Sequence, residues 1–130
     1  MEKGGLRIRQ IYESVEDGRY TIEAVLIDTQ DGIMLYIGGG DKPHIGAVAI
    51  SEPRPSMRDR CKVSCTTSVI NRLSHMDDII VVPIAEAVCR KANSITVASG
   101  GVHIDNADEA DIKRLVENME QLKVKIISKL

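Results

Sequence analysis

Two Asp-Gly dipeptides set the frame for the first third of this chain. Asp17-Gly18 and Asp31-Gly32 each separate stretches in which apolar residues recur at every second position. Tyr20, Ile22, Ala24 and Leu26 alternate with more polar neighbours, Ile33, Leu35 and Ile37 repeat the pattern, and Leu6 to Val15 carries a looser version of it. A period of two places alternate side chains on one face, and Asp-Gly supplies the positive φ that tight hairpins need. Three strands joined this way predict an antiparallel meander.

The pattern then changes. His44 to Ile50 alternates again and predicts a fourth strand, whereas Ser51 to Ser68 is polar, contains two prolines and shows no period, so it predicts a long loop. Asp77 or Asp78 opens a helix with Ile80, Ile84, Ala87 and Val88 as its apolar stripe, and Pro83 requires a first-turn position or a kink. Ile95 to Ser99 predicts a fifth strand, interrupted at Gly100-Gly101 and followed by Val102-His103-Ile104-Asp105. Asn106 with Glu109 predicts a capping box for a last helix along Ile112, Leu115, Val116, Met119 and Leu122. The order is ββββ-loop-αβα. It predicts an α+β fold, one domain over residues 1–130, with a mostly antiparallel sheet of about five to six strands flanked by helices.

Composition narrows the function classes. The chain has no Trp and no Phe, only three Tyr, and a net charge of −2. Without a basic field or a set of stacking rings, nucleic acid is not the expected partner. The apolar run from Ile79 to Cys89 is broken by Pro83 and Glu86 and is too short to span a bilayer, and Met1 to Gly5 lacks a leader pattern, so a cytoplasmic protein is expected. Three cysteines with no CxxC pair point to reduced thiols rather than a disulfide framework; Cys61 and Cys65 with a histidine would be a minimal zinc set.

Candidate chemistry gathers in three phrases, each with one histidine. Gly38-Gly39-Gly40-Asp41-Lys42-Pro43-His44 joins a glycine run, whose N–H groups can converge on an anion, to Lys42 and His44. Ser74-His75-Met76-Asp77-Asp78 spaces His75 and Asp78 for one helix face, as metal ligands or as an oriented imidazole; acidic residues at a helix start also act as plain caps. Gly101-Val102-His103-Ile104-Asp105 sets His103 and Asp105 on one side of an extended segment, a pairing suited to a divalent metal or to acid–base work. Arg54 with Ser64, Thr66, Thr67 and Ser68 forms a further phosphate-type set. A solvated polar loop is the plainer account of that set.

The three histidine phrases resemble those of the small D subunit of hydroxyarylic acid decarboxylase systems, which act on gallate, protocatechuate or 4-hydroxybenzoate. The resemblance runs from about Ile33 to the last helix; Ser74 stands where that family has glycine. It implies a non-catalytic chaperone that binds prenylated FMN and assists a UbiD-type decarboxylase. It also implies a fold similar to small proteasome-assembly chaperones, with a tendency to homodimerise. On this reading Gly38, Gly39, Gly40, Lys42, His44, Arg54, Ser64, Thr66, Thr67, Ser68, His75 and His103 are cofactor candidates, and His103, Asp105, His75 and Asp78 are candidates for a divalent metal. Two rivals are a metal-dependent enzyme acting on a phosphorylated small molecule and a cofactor-free assembly factor. A hydrolase using Cys65 with His75 or His103 is a weaker one, since no GxSxG elbow is present.

Overall fold

The computed structural model describes residues 7–73 and 77–130. Its elements are β1 (Arg9–Val15), β2 (Ile22–Asp28), β3 (Ile33–Gly40), β4 (Ala47–Pro55), β5 (Val63–Asn71), α1 (Asp78–Ala92), β6 (Thr96–His103) and α2 (Glu109–Ile127). The strands form one sheet in the order β1-β2-β3-β6-β4-β5. The meander read from the Asp-Gly turns is present as β1-β2-β3. Of the five neighbouring pairs only β3–β6 is parallel, so the sheet is mixed although mostly antiparallel.

One expected loop is a hairpin. Residues 51–68 extend β4 and supply most of β5, so the order is βββββαβα. Pro53 and Pro55 hid the strand, because proline cannot donate to a ladder. Ser56 N–H donates to Lys62 O, so by alternation residues 53 and 55 aim their missing N–H positions away from β5. On that side the pairing with β6 has already stopped at Ser51. Neither proline removes a ladder bond.

Both helices pack on one face of the sheet. Ile22, Ala24 and Leu26 of β2, with Ile33, Leu35 and Ile37 of β3, meet Ile80, Val81, Ile84 and Val88 of α1 and Leu115, Met119, Leu122 and Ile126 of α2. With no large ring available, Leu, Ile, Val and Met fill the interior by shape and volume. Pro83 lies inside α1, which continues through it. Gly100 and Gly101 do not interrupt β6; Gly100 has φ of 155°, and the strand runs through both glycines to His103.

The last helix starts later than Asn106. That residue is left-handed (φ 55°), and Asp108 is the N-cap. Its side chain accepts from Asp111 N–H at 2.9 Å, while Asp111 accepts from Asp108 N–H at 3.0 Å. A second acid served where Glu was expected, because Asp can also reach back from the third helical position. Farther along, buried Asn118 breaks the apolar stripe and donates to Asp17 Oδ2 (2.9 Å) and Tyr20 O (3.0 Å). Arg114 forks onto the same carboxylate at 2.6 and 2.9 Å, and Tyr20 Oη donates to Asp111 Oδ1 at 2.6 Å. These bonds pin α2 to the β1–β2 turn.

Replacing Asn118 with Ala removes both donors from a buried position and is expected to destabilise the fold by about 2 kcal/mol in urea unfolding. Donation from Asn118 and Arg114 holds the Asp17 carboxyl below its ordinary 3.8. Its stabilising contribution is complete above that unfolded value and fades as pH falls through the lower folded one. Acid unfolding of Asp17→Asn should therefore be less steep below about pH 4 than that of the parent.

Candidate functional site

The parallel pairing of β3 with β6 brings the C-terminal ends of two strands together, with Gly40 opposite His103. The segments leaving those ends carry two of the three histidine phrases. Asp41 and Lys42 donate their N–H groups to His103 O at 2.7 and 3.3 Å, and Gly46 N–H donates to Gly100 O at 2.8 Å. The segment between β3 and β4 is thereby laid across the end of β6. Asp41 Oδ2 accepts Asp105 N–H (3.0 Å) and Arg19 Nη2 (2.8 Å), which ties it to the β6–α2 segment as well. These donors hold the Asp41 carboxyl below its usual range, Arg19 first among them.

His44 folds inward from this segment. Its Nε2 lies 3.0 Å from Asp77 Oδ2 and its Nδ1 lies 3.2 Å from Lys42 O. Both partners are acceptors, so the ring can donate to both at once only as an imidazolium. Asp77 is buried at the start of α1. It does not cap the helix with its side chain; its other oxygen accepts Val102 N–H at 3.1 Å. A single carboxylate therefore joins α1, β6 and the β3–β4 segment.

Two glycines make this junction possible. A Cβ at Gly46 would overlap Asp77 Oδ2, and one at Gly101 would lie 2.7 Å from His44 Nε2. Both distances fall inside van der Waals contact. The glycines serve side-chain proximity rather than turn formation. His103 stands across from His44 with ring centroids 6.2 Å apart, nearly perpendicular, and its Nε2 lies 2.9 Å from Asp105 Oδ1 at an exposed position.

Two cavities meet at these histidines. The larger, about 410 Å³, is walled by Ile79 and Ile80 of α1, Val102 and Ile104 along and after β6, and Ala107, Ile112 and Leu115 leading into and along α2. His44, Asp77 and His103 close one side. The smaller, about 270 Å³, is lined by Lys42, His44, Arg72 and His103. The first is aliphatic, the second cationic, and His44 and His103 line both.

Of the residues singled out in the sequence, Lys42, His44 and His103 thus come together. His75 lies outside the described residues. Asp78 begins α1 and is half-buried, but the acid that reaches the site is its neighbour Asp77. Gly38, Gly39 and Gly40 are paired within the sheet, Gly40 N–H donating to Thr21 O at 3.0 Å, so this run forms a strand end and not an anion nest. Arg54, Ser64, Thr66, Thr67 and Ser68 lie on the β4–β5 hairpin and line neither of these cavities. Arg54 Nε donates to Thr66 Oγ1 at 2.9 Å, and Thr67 Oγ1 donates to Glu86 Oε2 at 2.6 Å. Among the described residues no three His, Cys, Asp or Glu side chains gather as a metal set. Arg72 and the aliphatic wall went unread in the sequence. Arg72 follows β5, whose existence was masked, and the wall residues look like ordinary core.

Gly46→Ala is expected to drive Asp77 from His44 and to cost roughly 2 kcal/mol or more. Asp77→Asn keeps an acceptor for Val102 N–H and should cost less. Urea unfolding of the two variants, with imidazole proton shifts of His44 as the local readout, checks the order.

No curated protein matches the chain. Among solved structures, a crystal structure of a chaperone complex for yeast 20S proteasome assembly superposes with a TM-score of 0.53 at 15% identity, covering 93% of this chain and 99% of that one. At such identity the likeness speaks for the fold. The model of the prenylated flavin chaperone LpdD-like domain matches residues 16–130, so the chain belongs to that family of prenylated flavin chaperones.

Proposed function

We propose that the protein is a non-catalytic carrier that holds prenylated FMN and hands it to a UbiD-type decarboxylase. The observation that carries this reading is the junction of an aliphatic cavity with a cationic one across His44 and His103. Prenylated FMN has the same division. Its fused rings, enlarged by an apolar ring, need a dry pocket, and its terminal phosphate needs cations and donors. The ring system goes toward Ile80, Ile104, Ile112 and Leu115, and the phosphate toward Lys42 and Arg72. The bound group itself would supply the decarboxylation chemistry only after transfer to the enzyme. The chain's own residues bind, orient and shield it.

An aliphatic wall gives the ring area and shape without the face-to-face stacking that aromatic residues offer. That suits a protein whose task ends in release. Among the described residues His103 and Asp105 form a pair with no third ligand beside them, a donor set that suits the flavin better than a metal centre.

The homodimer expected from the sequence resemblance has support from the sheet face opposite the helices. Tyr12, Val25, Tyr36, Ser99, Val48 and Ile70 form one row across all six strands, and Ile27, Met34, Val97 and Ile50 a second. Met34 is 57% and Ile70 73% exposed. Apolar side chains exposed in adjoining rows of one sheet face are a feature of surfaces that meet a partner. A second copy meeting it about a two-fold axis would match apolar rows to apolar rows.

Anaerobic titration with reduced prenylated FMN, with ordinary FMN as control, tests the ligand. Lys42→Ala and Arg72→Ala should each weaken binding about tenfold, and His103→Ala should weaken it at least as much. Parental affinity in all three variants would rule out these placements of the phosphate and the ring. In sedimentation, Met34→Glu should shift the protein toward monomer, and an unchanged mass would remove this face from the dimer.

A further inference from the structure

The β4–β5 hairpin outruns the rest of the sheet. Pairing of β4 with β6 stops at Ser51, whereas its pairing with β5 continues to Pro55 opposite Val63. The last residues of β4 and the first of β5 therefore form a two-stranded arm. From Ala47 to Pro55 the strand covers about 25 Å, so the tip of the arm lies far from His44.

The arm is charged against the rest of the molecule. Residues 54–62 contain Arg54, Arg58, Arg60 and Lys62 with Asp59 as the one acid, a net charge of +3 in a chain whose total is −2, which leaves −5 elsewhere. Arg58, Arg60 and Lys62 are exposed, and none makes an ion pair among the described residues. Asp59 is turned to its own loop, its Oδ1 accepting Cys61 N–H at 3.0 Å. Met57, next to Arg58 in the chain, stands 90% exposed. The tip is held in shape: Ser56 Oγ accepts from Arg58 N–H (3.2 Å) and Asp59 N–H (3.4 Å), and Lys62 N–H donates to Asp59 O (2.9 Å). Docking such a preformed tip orders little that was loose.

We infer that this arm is a docking element for an acidic protein surface with an apolar socket for Met57. A phosphate backbone is a poorer match, because the remaining −5 opposes it and the arm has no ring to stack on a base. A lipid surface is a poorer match as well, since one methionine gives little apolar insertion. Placed away from both cavities, the arm keeps the carrier attached while the ligand site stays open for loading and release. The inference rests on the carrier reading for the partner's identity, the decarboxylase that receives the flavin.

The test measures binding of the full chain to that decarboxylase at about 20 and 300 mM salt. Affinity of the parent should fall at least tenfold with added salt, and Arg58→Glu/Arg60→Glu should weaken it at least tenfold at low salt. Met57→Ser should weaken binding at both salt levels. All variants should bind prenylated FMN as the parent does. Unchanged decarboxylase affinity in the charge-reversed variant would overturn the inference. Tighter retention of the parent on single-stranded RNA or on vesicles rich in phosphatidylserine would overturn it too. A parent that binds prenylated FMN but not the decarboxylase would sink the arm and leave the ligand reading standing. Failure of both would sink the carrier reading itself.

Discussion

The parallel pairing of β3 with β6 is the constraint on which the rest of the site depends. In an antiparallel pair the two departing segments would leave from opposite ends. Here they leave from the same end, and Gly40 stands opposite His103. Connections that leave the carboxyl ends of adjacent parallel strands open a crevice between them, and ligands of α/β proteins commonly occupy such crevices. In this chain one parallel pair inside an otherwise antiparallel sheet is enough. It sets the β3–β4 segment, the β6–α2 segment and the start of α1 around one space.

Asp77 makes that arrangement specific. A buried carboxylate needs partners on both oxygens, and it finds Val102 N–H on one and the His44 ring on the other. Three elements are thereby joined through one side chain, and Gly46 and Gly101 leave the room for it. The arrangement also fixes the orientation of the imidazole that divides the aliphatic cavity from the cationic one. Arg19 and Asp41 add an outer tie between the same two segments, from the side of the β1–β2 turn.

The molecule thus keeps three features apart in space. The two cavities lie at the carboxyl ends of β3 and β6. The open sheet face carries the apolar rows, and the charged hairpin projects past β6 at the far end of β4. The interior that supports them is aliphatic, because packing by Leu, Ile and Val needs shape and volume alone.

What the sequence determined by itself is what depends on neighbours along the chain. Alternation and Asp-Gly turns specified the β1-β2-β3 meander, and the 3.6-residue period of Leu115, Met119 and Leu122 specified α2. Local chemistry also marked Lys42 and His44 in one phrase and His103 in another as candidates, and the β3–β6 pairing brought the two phrases together. What only the tertiary structure decided is what depends on which strands meet. Pro53 and Pro55 argued against a strand until pairing showed their N–H positions facing the side that β6 leaves unpaired. The glycine run at 38–40 looked like an anion nest until sheet pairing claimed its amides. Asp77 and Asp78 are indistinguishable as letters; the direction in which α1 begins selects Asp77. Ile80, Ile112 and Leu115 read as core because periodicity reports that a face is apolar, and not whether that face meets another element or encloses a space for a ligand.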